Sequence, residues 1–261
     1  YNATIEHQQW NTGFRISFVG TNQRKGEYGY NINQPLPDTR VYADKGRMFP
    51  RYPALTYLTN GAGHQYNSLT LEAERRSTKG LSYQAAYVLA RDIGDLEREY
   101  APENAFDRRR ERAVWDDIPT HRFTGNWIYE LPFGKGRPLL SSAGRLVNAI
   151  AGGWELSGIF IAQTGQFLTP LWTGPDPTGT AFTSSRTPAQ LTIRPDILRD
   201  ANLPSGQRSV NRWFDVSAFA APRAGAFGTS SRGVIKGPGM TSLHTGLAKQ
   251  FTLREGLKLR T

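Results

Sequence analysis

The chain has no cysteine among its 261 residues, which excludes a disulfide framework and a thiolate metal site. The absence says nothing about redox compartment. Long apolar runs are missing too. No stretch approaches the ~20 residues that a membrane-spanning helix needs, and the mean hydropathy is −0.52. A membrane-crossing sheet is not excluded by this, because one face of such a sheet and its loops are polar. Histidine is sparse: His7, His64, His121 and His244 are scattered without metal-ligand spacing. Asp116-Asp117 lacks the oxygen-ligand pattern of a calcium loop. Gly134-Lys135-Gly136-Arg137 lacks the Walker spacing and reads as a basic turn. Glu72 and Glu130 are the one carboxylate pair worth weighing for acid–base work, and polar-face positions on strands explain them more simply. No nucleophile–base arrangement is legible, so no catalytic residue, cofactor or metal is expected. No basic segment followed by an apolar one opens the chain. Both ends read as strands cut mid-element, and the expectation is a piece of a larger protein.

What is present is alternation. In residues 66–76, Leu69, Leu71 and Ala73 share one parity, with Ser68, Thr70, Glu72 and Glu74 on the other. Ser77-Thr78-Lys79-Gly80 turns the chain, and Leu81, Tyr83, Ala85, Tyr87 and Leu89 return on one face, opposite Ser82 and Gln84. Residues two apart on a strand share a face, so each strand has an oily and a wet side. About ten residues per strand is the length that crosses a bilayer at a tilt.

The same pattern recurs along the chain. Asn2–Gln9 and residues 14–20 form a hairpin whose turn is read as Trp10-Asn11-Thr12-Gly13, with Gly13 supplying the positive φ. Residues 121–131 carry Phe123, Trp127, Tyr129 and Leu131 on one parity. Residues 154–163 carry Trp154, Leu156, Phe160 and Ala162 on one face, while Ile159 and Ile161 blur the other. Residues 240–253 place Leu243, Leu247 and Phe251 together, with Lys249 on that parity near the strand end, where it can snorkel. Arg254-Glu255-Gly256 turns into residues 257–261. A short helix is read around 107–115, and a short amphipathic helix or folded turn within 139–151, where Leu146, Val147 and Ile150 have helical spacing.

The connections alternate in length, with long polar segments at 21–65, 91–119 and 164–239. Short turns at one end and long loops at the other outline an antiparallel transmembrane β-barrel segment, all-β and incomplete, with long extracellular loops. Tyr1, Trp10, Tyr66, Phe123, Tyr129, Phe133, Trp154 and Phe251 lie near the expected strand ends, as an interfacial girdle requires.

The net charge is +10. One reading is attraction to anions, whether nucleic acid, lipopolysaccharide phosphates or an acidic ligand; the favoured one is a fragment whose charge is balanced elsewhere in the larger protein. Arg108-Arg109-Arg110-Glu111-Arg112 is interrupted by acid and flanked by Asp107, Asp116 and Asp117, so it reads as a salt-bridged loop and no nucleic-acid partner is expected.

A family resemblance follows from motifs in order. Tyr66-Asn67-Ser68-Leu69-Thr70-Leu71-Glu72-Ala73-Glu74-Arg75-Arg76 and Lys79-Gly80-Leu81 come first. His121-Arg122-Phe123, Tyr129-Glu130-Leu131-Pro132-Phe133-Gly134-Lys135-Gly136-Arg137 and Gly152-Gly153-Trp154-Glu155-Leu156-Ser157-Gly158-Ile159 follow. Arg194-Pro195-Asp196, Arg212-Trp213-Phe214-Asp215-Val216-Ser217-Ala218-Phe219, Phe227-Gly228 and Gly237-Pro238-Gly239 complete the set. The chain resembles TonB-dependent outer-membrane receptors, closest to the Oar-like class with an N-terminal carboxypeptidase-regulatory-like domain. The resemblance covers most of 66–261. It implies that residues 1–261 are part of one receptor barrel, with the plug, the TonB box and the final strand outside these residues. It implies outer-membrane lipid and lipopolysaccharide around the chain, a TonB complex reached through the N-terminal region, and an unidentified bulky solute as cargo. The loop residues able to stack on or pair with such a solute are Trp172, Arg194, Asp196, Arg212, Trp213 and Asp215. Beside this stands the reading that Trp213 and Phe214 anchor the long loop to the rim. A different function class, a water-soluble surface β protein binding glycans through Trp172 and Trp213, is kept as the alternative.

Overall fold

A computed structural model describes residues 1–96, 101–182, 193–254 and 257–261. In chain order the elements are β1 (Asn2–Gln9), β2 (Thr12–Asn31), β3 (Thr56–Thr78), β4 (Leu81–Gly94), β5 (Ala113–Val114), β6 (His121–Glu130), α1 (Arg145–Ala151), β7 (Trp154–Gln163), β8 (Phe167–Leu168), β9 (Asp196–Ile197), β10 (Phe219–Ala220), β11 (Ile235–Lys236), β12 (Met240–Arg254) and β13 (Leu257–Arg260). One sheet runs β1-β2-β3-β4-β6-β7-β12-β13, with β5 added to β4. Every pairing in it is antiparallel. Its outer strands do not pair with each other, so the wall is open. No helix among the described residues is long and apolar enough to cross a membrane.

The register explains why the alternation matters. Ile5, Ile16, Leu71, Tyr87, Phe123 and Ala162 stand opposite one another across six strands. Two residues along, His7, Phe14, Ala73, Ala85, Gly125, Phe160 and Leu243 form the next row on that face. The row between them is Glu6, Arg15, Glu72, Ala86, Thr124, Ile161 and Ser242. A slip of one residue anywhere would turn an entire strand inside out. The oily parities therefore form one continuous surface. Ile5, Leu243 and Leu247 on it are 71%, 58% and 61% exposed, with no protein layer over them. The wet face holds its charges in cross-strand pairs: Arg15 Nε donates to Glu6 Oε1 at 2.7 Å and its Nη1 to Glu72 Oε2 at 3.1 Å. Ile159 and Ile161 do lie on this wet face, opposite Asn126 and Thr124.

Several boundaries depart from the sequence expectation. The first turn is only Trp10-Asn11, both with positive φ (52° and 58°), and Gly13 lies in the ladder opposite Gln8. The next short turn is Lys79-Gly80, with φ of 53° and 81°, because Thr78 already pairs with Leu81. A two-residue turn with left-handed residues matches the twist of the flanking strands, which longer turns of ordinary handedness do not. The segment 21–65 is not one loop. β2 and β3 run on to Asn31 and back from Thr56, joined through pairs such as Gln23–His64 and Tyr28–Thr59. In these outer parts both parities carry polar residues, so the ladder continues while the alternation stops. Tyr66 consequently sits within a long strand, on the wet parity opposite Thr21 and Asp92, and not at a girdle.

Within 139–151 the helix forms, as α1. Lys249 donates from Nζ to the Ile150 and Gly152 carbonyls at its end, at 2.6 and 3.0 Å, and lies 4.6 Å from the Trp154 ring centre. The terminal carbonyls of a helix lack partners, so this places the ammonium where it is stabilised. The helix expected near 107–115 is a 3₁₀ turn, Arg108–Glu111. Of the turn expected at 254–256, residues 255–256 lie outside the described residues.

Candidate functional site

The three long connections fold together into a cap at one end of the wall. Its centre is Arg194, 3% exposed. Its Nη1 and Nη2 donate to Glu111 Oε2 and Oε1 at 2.9 and 3.0 Å, a two-pronged pairing, and Nη2 also lies 2.6 Å from Glu103 Oε2. The Arg194 N–H donates to Glu103 Oε1 at 2.8 Å. Arg110 adds a further cation 3.3 Å from Glu103 and donates to the Gly228 carbonyl at 2.5 Å. Gln34, from the first connection, donates to the Glu103 carbonyl and accepts from the Ala105 N–H. Burial pushes the Glu103 carboxyl above its ordinary range, with Arg194 and Arg110 pulling the other way. Burial also works against the Arg194 charge, but Glu103 and Glu111 outweigh it and raise its pKa.

A second tie joins the first and third connections. Lys45 Nζ donates to the carbonyls of Leu36 and Thr178 at 2.8 and 2.6 Å and lies 3.1 Å from Asp38. Asp38 is held well below the usual carboxylate range, chiefly by hydrogen bonds from Arg40. Short ladders β8–β11 and β9–β10 stiffen the third connection.

The six candidate residues do not converge on one pocket. Arg194 is the centre of the buried cluster, with its guanidinium engaged by Glu111 and Glu103. Asp196 accepts from the Thr229 N–H at 2.8 Å within the β9–β10 ladder. Asp215 caps the 3₁₀ turn Val216–Ala218, accepting from Ser217 and from Arg199. Those hydrogen bonds, from Ser217 first and Arg199 next, lower its pKa. Trp172 is half-buried and donates from Nε1 to the Pro175 carbonyl at 2.9 Å. Arg212 is exposed, in a tight turn paired with Ser209. Trp213 donates from Nε1 to the Lys236 carbonyl at 2.7 Å, with Arg208 5.6 Å from its ring centre. That bond fastens the loop to β11 and fits the anchoring reading.

Trp213 also lines a cleft of about 750 Å³ with Arg91, His121, Phe167, Arg208 and Lys236. Among the described residues no acidic side chain lines it. On the other side of the β8–β11 ladder is a smaller cleft of about 360 Å³, reaching Asp117, Arg122, Gln166 and Met240. A third, of about 330 Å³, lies along the wet face of the wall at Arg15, Glu72, Glu74 and Gln84. Sequence reading missed the first cleft. Arg91 and His121 continue the oily parity of β4 and β6 past its apolar stretch, a signal that was legible; Arg208 and Lys236 give none. Among the described residues no group of three or more His, Cys, Asp or Glu side chains is placed to hold a metal ion.

The family model described as an outer membrane beta barrel domain matches residues 1–261, the whole chain. No curated protein and no solved structure matches it.

Proposed function

Because the chain belongs to the outer membrane beta-barrel domain family, we propose that it forms wall and cap of a TonB-dependent receptor, of the Oar-like class, that imports a bulky solute. Outer-membrane location follows from the family, and such barrels keep short turns in the periplasm and long loops outside. The observation that carries the reading is the cap. Its three long connections are tied by Arg194, Glu103, Glu111, Gln34 and Lys45 into one folded body. Loops serving only as links need no such core, and binding groups are commonly carried on loops that a rigid scaffold positions. The ordered motifs from Tyr66 to Gly239 support the same reading. The uncovered apolar face favours it over a water-soluble glycan binder, since a patch that large calls for lipid or a partner.

On this reading the plug and the TonB contact belong to other parts of the full-length protein, and the chain itself performs no catalysis. Arg212 and Trp172, at the cap surface, are the sequence candidates left to meet a solute. Aromatic faces and Arg forks suit sugars, peptides and carboxylates. The test is uptake of labelled oligosaccharides and peptides by cells carrying the full-length protein. Uptake is expected to stop when TonB is deleted or the inner membrane is de-energised. Uptake unchanged by both treatments refutes the proposal.

A further inference from the structure

The basic cleft lies on the side of the wall that faces lipid. Arg91 shares parity with Leu89 and Tyr87, and His121 stands opposite Leu89 in the register. Tyr87 on the oily face meets His121 Nδ1 through its hydroxyl, at 2.7 Å. The β8–β11 ladder stands between this cleft, with Phe167 and Lys236 toward it, and the cleft that holds the wet-parity residues Arg122 and Met240; the two meet at Gln163, Thr164, Gly165 and Gly237, which line both. Depth agrees with parity. From Leu81, beside the short turn, to Arg91 the strand rises about 34 Å along its axis at ~3.4 Å per residue. At a tilt near 40° that is about 26 Å along the membrane normal, and the apolar band of such barrels is about 25 Å tall. The cleft therefore stands at the level of the outer-leaflet headgroups.

From this juxtaposition we propose that the cleft binds a phosphate of an outer-leaflet glycolipid, lipopolysaccharide in a Gram-negative envelope. Arg91, Arg208 and Lys236 supply cationic donors suited to phosphate oxygens. Trp213 and Phe167 supply apolar surface for the glycolipid's sugar faces and upper acyl carbons, as aromatic side chains do where one end is apolar and the other wet. Arg208 is already oriented, its Nε donating to the Leu203 carbonyl at 2.6 Å while its guanidinium lies over Trp213. The carboxylate coupled to Lys236 is Asp200, which is exposed and occupied by the N–H and side chain of Asn202, so it does not fill the cleft. A soluble phosphorylated solute would offer the same headgroup chemistry. The position on the lipid side is what selects the membrane source.

The test uses the full-length protein in phosphatidylcholine nanodiscs, titrated with lipopolysaccharide, with lipopolysaccharide stripped of its lipid A phosphates, and with glucosamine phosphate in solution. The intact glycolipid is expected to bind at least about tenfold more tightly than the stripped one, the difference charge-assisted hydrogen bonds confer. Arg91→Gln with Lys236→Gln, both exposed side chains, is expected to remove most of that difference. Arg122→Gln, across the ladder, is expected to leave it. Equal binding of intact and stripped glycolipid overturns the proposal, as does a loss with Arg122→Gln as large as with the double variant. Glucosamine phosphate binding as tightly as the glycolipid overturns the lipid source and makes the cleft a solute site. None of these outcomes depends on TonB, so failure here is separate from failure of the import reading.

Discussion

Ile5, Leu243 and Leu247 in the wall are apolar and exposed, while Arg194, Glu103, Glu111, Lys45 and Thr178 in the cap are polar and buried. The two regions invert the usual arrangement in different ways. The wall turns its oily side outward because its solvent there is lipid, and its backbone groups are satisfied strand to strand. The cap meets water and buries an apolar set of its own, including Leu96, Trp115, Phe182, Ile193, Leu203 and Ile235. Around that set it is organised by side chains that satisfy backbone groups across loops, as Lys45 does for Leu36 and Thr178 and Gln34 for the segment around Glu103. A wall residue is thus replaceable by anything oily of suitable size. A cap residue at the cluster is replaceable only along with its partners.

The sharpest way to break this comparison is Arg194→Met. It leaves the carboxylates of Glu103 and Glu111 buried together without their shared cation. Removing one partner of a buried ion pair costs about 3–5 kcal/mol. Amide exchange should accelerate across the cap while the wall's protection is kept. Adding Glu103→Gln and Glu111→Gln should recover a large part of the loss, because the orphaned charges go with them. If exchange in the cap is unchanged by Arg194→Met, the cluster does not organise the loops.

The same contrast decides what was legible beforehand. The wall was readable because each strand carries its own information: period two gives the face, and the face gives the register. The reading ended where the membrane ends. In the outer parts of β2 and β3 both faces are polar, so pairs such as Glu27–Asn60 leave no periodic trace. In the cap the information is not local at all. Arg194-Pro195-Asp196 looks like an exposed ligand motif, yet Glu103 and Glu111 stand 91 and 83 residues away. No window of sequence contains both halves of that pairing. Trp213 carries two readings in the sequence because a large aromatic in a loop either packs or binds; the Lys236 carbonyl and the cleft beyond it are not readable there.

A somewhat smaller effect sharpens the wall's side of the comparison. Ala85 stands on the oily face opposite Gly125, near the middle of the span, and Gln84 stands on the wet face opposite Asn126. Ala85→Arg should destabilise the protein in liposomes by roughly 2–4 kcal/mol, while Gln84→Arg should change it by less than about 1 kcal/mol. Denaturant titration of both variants reads the difference. Equal costs would mean that the two faces are not lipid and lumen.

The smallest expected effect is at the periplasmic turns, where wall strands are joined without a cap. Lys79 adopts φ of 53° and Gly80 a φ of 81°, the pattern of a type I′ turn. The glycine takes its position without steric penalty, but a left-handed backbone costs an ordinary L-residue about 1–2 kcal/mol. Asparagine pays less, because its short side chain bonds locally to the backbone, and Asn-Gly is the favoured pair for this turn. Lys79→Asn should therefore stabilise the hairpin by about 0.5–1 kcal/mol, seen as a shift of the unfolding midpoint to higher denaturant with unchanged slope. Lys79→Val is the counterpart: a β-branched side chain in the same conformation should shift the midpoint the other way. The turn lies far from the cap, so neither change should alter amide exchange there. If both variants leave the midpoint where it is, the turn is not strained as its backbone angles imply. If Lys79→Asn instead loosens the cap, wall and cap are coupled through the strands, and the separation between an outward-oily wall and a self-satisfied cap does not hold.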